Sequence, residues 1–467
     1  MALKTKILRR CPWLRAALAW AFIGIVTVAQ TEQSWAQRGT LIRDAEIEAI
    51  IRGQATPLLR ASGLNANSVR IHLVRNNNLN AFVAGGLQIF IYTGLLQRAE
   101  TPNQVTGVLA HEIGHIEGGH LARTRDELRG ASATAILSTI LGVAAAVAAG
   151  DARIGAAVAA GGREAALRNY LQYSRSHESS ADQAAARLLD ATGQSTIGLV
   201  EFLEVLGNQE VLPPSQQDPY MRTHPFSRDR VSALRNHMNR SRYTNVPDSP
   251  EALAQHRRMQ AKLAGFLDPT SRVMAAYPES DQSLEALYAR AVAFHRRGDP
   301  VSADAELGKL LERYPRDAYF HELDGQIRFE RGDSAGSIAA YAKAVELSRR
   351  QPLIVMAYAR AVVEAGDPAK VRTVIPMLER ALDAESDSGG GWRLLGTAYG
   401  KIGERGEASL ALAESEWRFG NPDLAALQAH RAQQEFRKGT PGWLRAEDLK
   451  LASERLMRAR AARRTGA

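Results

Sequence analysis

Thiols are all but missing from this chain. Of its 467 residues one is cysteine, Cys11, and it precedes the apolar stretch of the N-terminus instead of following it, so it does not look like a lipoprotein acylation site. No disulfide can staple the fold, and once an N-terminal export signal is removed no thiolate is left to bind a metal. Nucleic-acid-binding motifs are absent too, which excludes that class of partner. Long apolar runs are few. Residues 16–29 are too short for a stable membrane span. Residues 131–149 carry no charge, but alanine, serine, threonine and glycine dominate them, and Asp151 and Arg153 break the continuation. Transfer of such a stretch into lipid is weakly favourable at best. The expectation for 131–162 is a soluble helical pair, with peripheral contact at a membrane surface as the alternative.

What is present begins with an export signal. Lys4, Lys6, Arg9, Arg10 and Arg15 lead into the apolar stretch, and Ser34-Trp35-Ala36 offers small residues three and one before a break, so cleavage is expected after Ala36 and the periplasm is the expected destination. With 45% hydrophobic and 23% charged residues there is material for two or three domains. The formal charge is +9, and part of that basicity belongs to the export signal. Another part sits near the C-terminus in Arg455, Arg458, Arg460, Arg463 and Arg464, a solvated basic tail suited to anionic lipid headgroups.

The most informative stretch is His111-Glu112-Ile113-Gly114-His115. Val105, Leu109, Ile113 and Ile116 recur at helical spacing, and Thr101-Pro102 supplies a cap followed by a first-turn proline. On that helix His111 and His115 share a face and can converge on one zinc ion, with Glu112 beside them as general base. A third ligand is needed, and Glu178 is the best candidate. It lies one helical turn before Asp182, whose carboxylate can orient a ligand histidine through its second ring nitrogen. The rival layout, a third histidine further along the first segment, is half met: Gly118 fits, but position 121 is Leu, and His120 falls off the ligand face. His120 and His177 are expected as supporting or surface residues. His72, His237, His256, His295, His321 and His430 stand singly and carry no signal.

One more histidine stands apart. His224 follows a polar loop bearing Pro213, Pro214 and Pro219, and it precedes a helix beginning near Ser227. From such a corner it can stabilise a tetrahedral oxyanion, occupy zinc's fourth position, or pack as a turn residue; spacing does not choose among these.

The order His111-Glu112-x-x-His115, then Ser174-Arg175-x-x-Glu178-x-x-Ala181-Asp182, then Thr223-His224-Pro225 with Arg230, resembles metallopeptidase family forty-eight. The resemblance covers about residues 40 to 265. It implies zinc ligands at His111, His115 and Glu178, a base at Glu112, and active-site positions for His224 and Arg230. The stretch from Asn80 to Leu96 looks like that family's hairpin, whose edge strand aligns peptide substrates. Gln88-Ile89-Phe90-Ile91-Tyr92 is rich in strand formers on its own terms.

Behind residue 265 the chain turns helical and repetitive. Gly298-Asp299, Gly332-Asp333 and Gly366-Asp367 recur every 34 residues, the tetratricopeptide period. A fourth unit reads Trp392-x-x-Leu395-Gly396-x-x-Tyr399, after a slip near Asp387-Ser388-Gly389. Each unit is a helix pair that cannot bury its apolar face alone, so the units stack into a solenoid.

The expected fold is therefore α+β and mainly α: a gluzincin-type metalloprotease domain followed by a helical tetratricopeptide solenoid. The expected divisions are a signal peptide over 1–36, the protease over 37–265, a linker over 266–283, repeats over 284–437, and a capping helix with basic tail over 438–467. This combination resembles the periplasmic protease-chaperones of the family that police outer-membrane protein assembly. It implies unfolded or stalled outer-membrane proteins and the β-barrel assembly machinery as partners, with either degradation or assisted assembly as the outcome.

Overall fold

The computed structural model describes residues 40–84, 86–120, 175–207, 220, 224 and 226–465. The expected signal peptide, the apolar region 131–162 and most of the loop before His224 lie outside them. The described chain divides into two compact units, one holding residues 40–42 and 54–248, the other 43–53 and 249–465. The division falls at Asp248, so the helix Pro250–Leu267 belongs with the second unit.

The first unit is built on a four-stranded sheet. Its strands are β1 (Thr40–Ile42), β2 (Arg70–Arg75), β3 (Ala81–Ala84) and β4 (Gln88–Tyr92), in the order β1-β2-β4-β3. β2 runs parallel to β4, while β1 and β3 are antiparallel to their neighbours. Alternation along β4 buries Ile89 and Ile91 on one face. On the other, Phe82, Phe90 and His72 stack in a row across three strands.

Behind the sheet runs the helix Pro102–Glu117. Thr101 caps it by accepting from the Gln104 amide, and Pro102 fills its first turn. Every residue from Pro102 to Gly114 is buried, which marks a helix enclosed on all sides. Val105, Leu109 and Ile113 are each about fully buried, and removing such side chains from water contributes roughly 1.5–3 kcal/mol apiece.

The second unit is helical throughout its described length, from Pro250 to Thr465. The 34-residue marks have a local cause. Gly298 and Gly366 end helices Leu284–Arg297 and Pro352–Ala365 in the left-handed conformation, which glycine adopts without penalty. The next residue starts the partner helix: Asp299, Asp333 and Asp367 cap by accepting from the amides of Ser302, Gly336 and Ala369. In the fourth unit the aspartate is replaced by Glu404, whose side chain makes no capping bond. The closing helix Pro441–Thr465 buries Ala446 and Leu449 against Ala413, Ala429 and Ala432, and it continues through Arg455, Arg458 and Arg460. The expected basic tail is thus helical over these residues.

Residues 43–53 are integral to this unit. Lys262 meets Asp44 at 2.8 Å and Glu46 at 3.2 Å, the Tyr288 hydroxyl donates to Glu46 at 2.7 Å, and Arg258 pairs with Glu46 and, at 2.8 Å, with Asp317. Among the described residues no helix is long and apolar enough to cross a membrane.

Candidate metal centre

Two helices and one corner bring the site together. His111 and His115 stand one turn apart on the Pro102–Glu117 helix; Glu178 and Asp182 stand one turn apart on the helix 175–191. Gly114, inside the histidine motif, sets the approach of the two. A Cβ there would lie 2.8 Å from the Ala181 carbonyl oxygen and 3.0 Å from Ala184 Cβ, so only glycine lets the helices pack this closely. The third contribution is His224, held one turn after Tyr220 by a 2.7 Å backbone hydrogen bond and stacked on the Tyr220 ring at 4.3 Å.

The ligand atoms converge. His111 Nε2 lies 3.1 Å from His115 Nε2, 3.3 Å from His224 Nδ1 and 3.3 Å from Glu178 Oε2. Glu178 Oε1 lies 3.3 Å from His115 Nε2 and 3.2 Å from His224 Nδ1. The edge of a tetrahedron with metal–ligand bonds of about 2 Å is about 3.3 Å long. Three imidazole nitrogens and a carboxylate at this spacing fit a four-coordinate metal ion, and all four groups lie within 4.8 Å of one another.

The surroundings orient the ligands. Asp182 Oδ1 is 2.9 Å from His111 Nδ1, and His120 Nδ1 is 3.0 Å from His115 Nδ1, so each motif histidine turns its second nitrogen toward a partner that fixes its orientation. His120 stacks in turn on His177 at 4.5 Å. Arg230, at the start of the helix Arg228–Met238 and capped from Ser227, reaches Asp182 through Nε at 2.6 Å and Nη2 at 2.8 Å, and Glu178 through Nη1 at 3.0 Å. His224 Nε2 points away from the cluster, 3.3 Å from the Ala81 carbonyl and 3.4 Å from Glu112 Oε1.

The electrostatics favour a cation. Burial alone would raise the Glu178 carboxyl, but the charge of His224 and hydrogen bonds from His111, His115 and His224 hold it well below the usual range. Asp182 is likewise pushed up by burial and pulled further down by Arg230 and His111. Burial drives His115 down to about 3, whereas His111, also buried, is raised to about 10 by its hydrogen bonds and charge pairing with Asp182 and Glu178. Glu112 is fully buried, makes no side-chain hydrogen bond among the described residues, and is raised by that burial.

The structure thus gathers every residue expected at the site: His111, Glu112, His115, Glu178, Asp182, His224 and Arg230. Sequence reasoning left His224 undecided and assigned nothing to Tyr220 or the Ala81 carbonyl. Tyr220 carried one readable signal, its position four residues before His224, which is one helical turn.

Residues 41–238 match the model of Peptidase family M48. A curated relative, the β-barrel assembly-enhancing protease of Yersinia pestis, is 27% identical over 75% of this chain and 72% of its own. Metalloprotease YcaL of Escherichia coli (strain K12) is 29% identical over 37% of this chain and 64% of its own. Among solved structures, yeast Tom70 aligns over 60% of this chain and 61% of its own, at a TM-score of 0.31 and 14% identity, a superposition too loose to carry an argument. Motif, geometry and family agree: residues 41–238 of this chain are a metalloendopeptidase domain of Peptidase family M48.

Proposed function

We propose that this chain is a zinc endopeptidase of the periplasm that degrades misfolded or stalled outer-membrane protein precursors and assists their assembly through its helical repeats. The observation that carries the reading is the convergence of His111, His115, Glu178 and His224 at tetrahedral spacing with Glu112 alongside. The client class rests on the β-barrel assembly-enhancing relative, whose match extends past the peptidase domain into the repeats.

His111, His115 and Glu178 would hold a zinc ion, which would supply Lewis acidity toward a scissile carbonyl and toward water. Glu112, with its raised proton affinity, takes the proton of the attacking water and delivers it to the leaving amine. Asp182 orients His111, and Arg230 holds both Asp182 and Glu178 in place. Substrate aligns on β3. The Tyr92 amide donates to the Asn80 carbonyl, so by alternation the backbone groups of Ala81 and Val83 face away from β4 and can pair with an extended chain.

A second reading has its own observation. His224 brings the candidate donors to four, and a metal held by all four would have no place left for water. The chain would then act chiefly as a chaperone or adaptor of the outer-membrane assembly machinery, its protease latent until His224 moves aside. The alternative role for His224, donating to the oxyanion, needs the same displacement from Glu178.

Incubating a denatured outer-membrane β-barrel protein with the chain and with Glu112→Gln tests the first reading. The expected loss of cleavage in the variant is on the order of a hundred- to ten-thousandfold, with zinc content unchanged. Fragments that form equally fast with both proteins would end it.

A further inference from the structure

A groove of about 740 Å³ runs along the first helices of three successive repeats in the second unit. Its floor is apolar, with Leu353, Met356 and Leu394 half-buried along it. Its rim is charged, and nearly all of that charge is matched within the protein. Arg360 pairs with Glu364 at 3.0 Å, Arg393 with Glu416 at 3.1 Å, and Arg43 with Glu48 and Glu385, each at 2.8 Å. Glu330 meets His295 at 2.8 Å and accepts from Gln326 at 2.9 Å.

Glu322 is the exception. It lines the groove, and its Oε2 atom is buried and finds no hydrogen-bond partner among the described residues. The charges that act on it do not neutralise it: Lys262 attracts it, while Asp44 and Glu46 repel it. Lys262 is already held by those two carboxylates, and Arg258 by Glu46 and Asp317. This end of the groove therefore has an acidic surplus and one unfilled acceptor. Burial pushes the Glu322 carboxyl up to about 7, as expected of a carboxylate still lacking its counter-ion.

We infer that this groove takes an extended segment of a client protein in which a lysine or arginine, flanked by apolar side chains, delivers its cation to Glu322. The flanking side chains lie on Met356 and Leu394, and the charge-assisted hydrogen bond to Glu322 selects the basic residue. The inference rests on the reading of the repeats as the client-holding half of the chain and is independent of the metal.

The test is fluorescence anisotropy on the full-length Glu112→Gln chain, which holds peptide without cutting it. The probe is a labelled seven-residue peptide with leucine on both sides of a central lysine, beside twins carrying norleucine or glutamate there. The lysine peptide should bind about tenfold tighter than the norleucine twin, the worth of one hydrogen bond to a charged group, and the glutamate twin weakest. Adding Glu322→Gln should bring lysine and norleucine level, whereas Glu364→Gln, which removes a carboxylate already paired with Arg360, should leave the preference intact. Equal binding of lysine and norleucine twins by the chain with Glu322 intact, absence of binding, or a lysine preference that survives Glu322→Gln would each overturn the inference. No turnover is needed. A lysine preference in binding, with no cleavage of an unfolded protein by either the unaltered chain or His224→Ala, would sink the protease reading alone, and cleavage without any lysine preference in binding would sink this inference alone.

Discussion

At the scale of single residues the site is a hierarchy of carboxylates with different partners. Glu112 is buried without a side-chain hydrogen bond among the described residues and is raised; Asp182 is buried with Arg230 and His111 and is lowered. Two acids on neighbouring helices are thus set apart by their surroundings, as the proposed mechanism requires of a base at Glu112 and an anchor at Asp182. Asp182→Asn keeps the shape but weakens the anchor for both His111 Nδ1 and Arg230. Zinc affinity should fall on the order of ten- to a hundredfold, read by competition with a chromogenic chelator. An unchanged affinity accompanied by a lower melting temperature would reduce Asp182 to a purely structural role.

At the scale of elements, glycine and aspartate decide how helices meet. Gly114 brings the histidine helix within reach of Glu178, and an added methyl group would collide with the Ala181 carbonyl. Gly114→Ala should therefore destabilise the first unit by about 1–3 kcal/mol and loosen zinc binding in step. Thermal melting and zinc titration check this, and full stability with intact affinity would show that the helices can part without consequence. The elements themselves were legible. Thr101-Pro102 marked a helix start, and the 34-residue Gly-Asp spacing marked the repeats, because both are local rules of backbone geometry. His111, His115, Glu178 and Asp182 were legible for the same reason, each pair being one turn apart on one helix. What stayed hidden depended on distant partners. Residues 43–53 carry an ordinary amphipathic pattern, and nothing in it tells that Asp44 and Glu46 answer Lys262 and Arg258 more than two hundred positions away. For His120 a supporting role was legible, but not its partner, the Nδ1 atom of His115 at 3.0 Å.

At the scale of the molecule, a unit that gathers four candidate metal donors is followed in the chain by a repeat unit with one unmatched acid in its groove. We propose that His224 closes the site at rest: it would supply the fourth donor through Nδ1, while Tyr220 stacks on its ring and the Ala81 carbonyl of the edge strand lies against Nε2. The same imidazole would then compete with water at the metal and with substrate at β3. The most direct measurement is the turnover of an unfolded protein by His224→Ala beside the unaltered chain, with zinc quantified in both. Closure by His224 requires about one zinc per chain in each and faster cleavage by the variant. Zinc retained with cleavage lost would contradict it and make His224 a participant in the reaction itself.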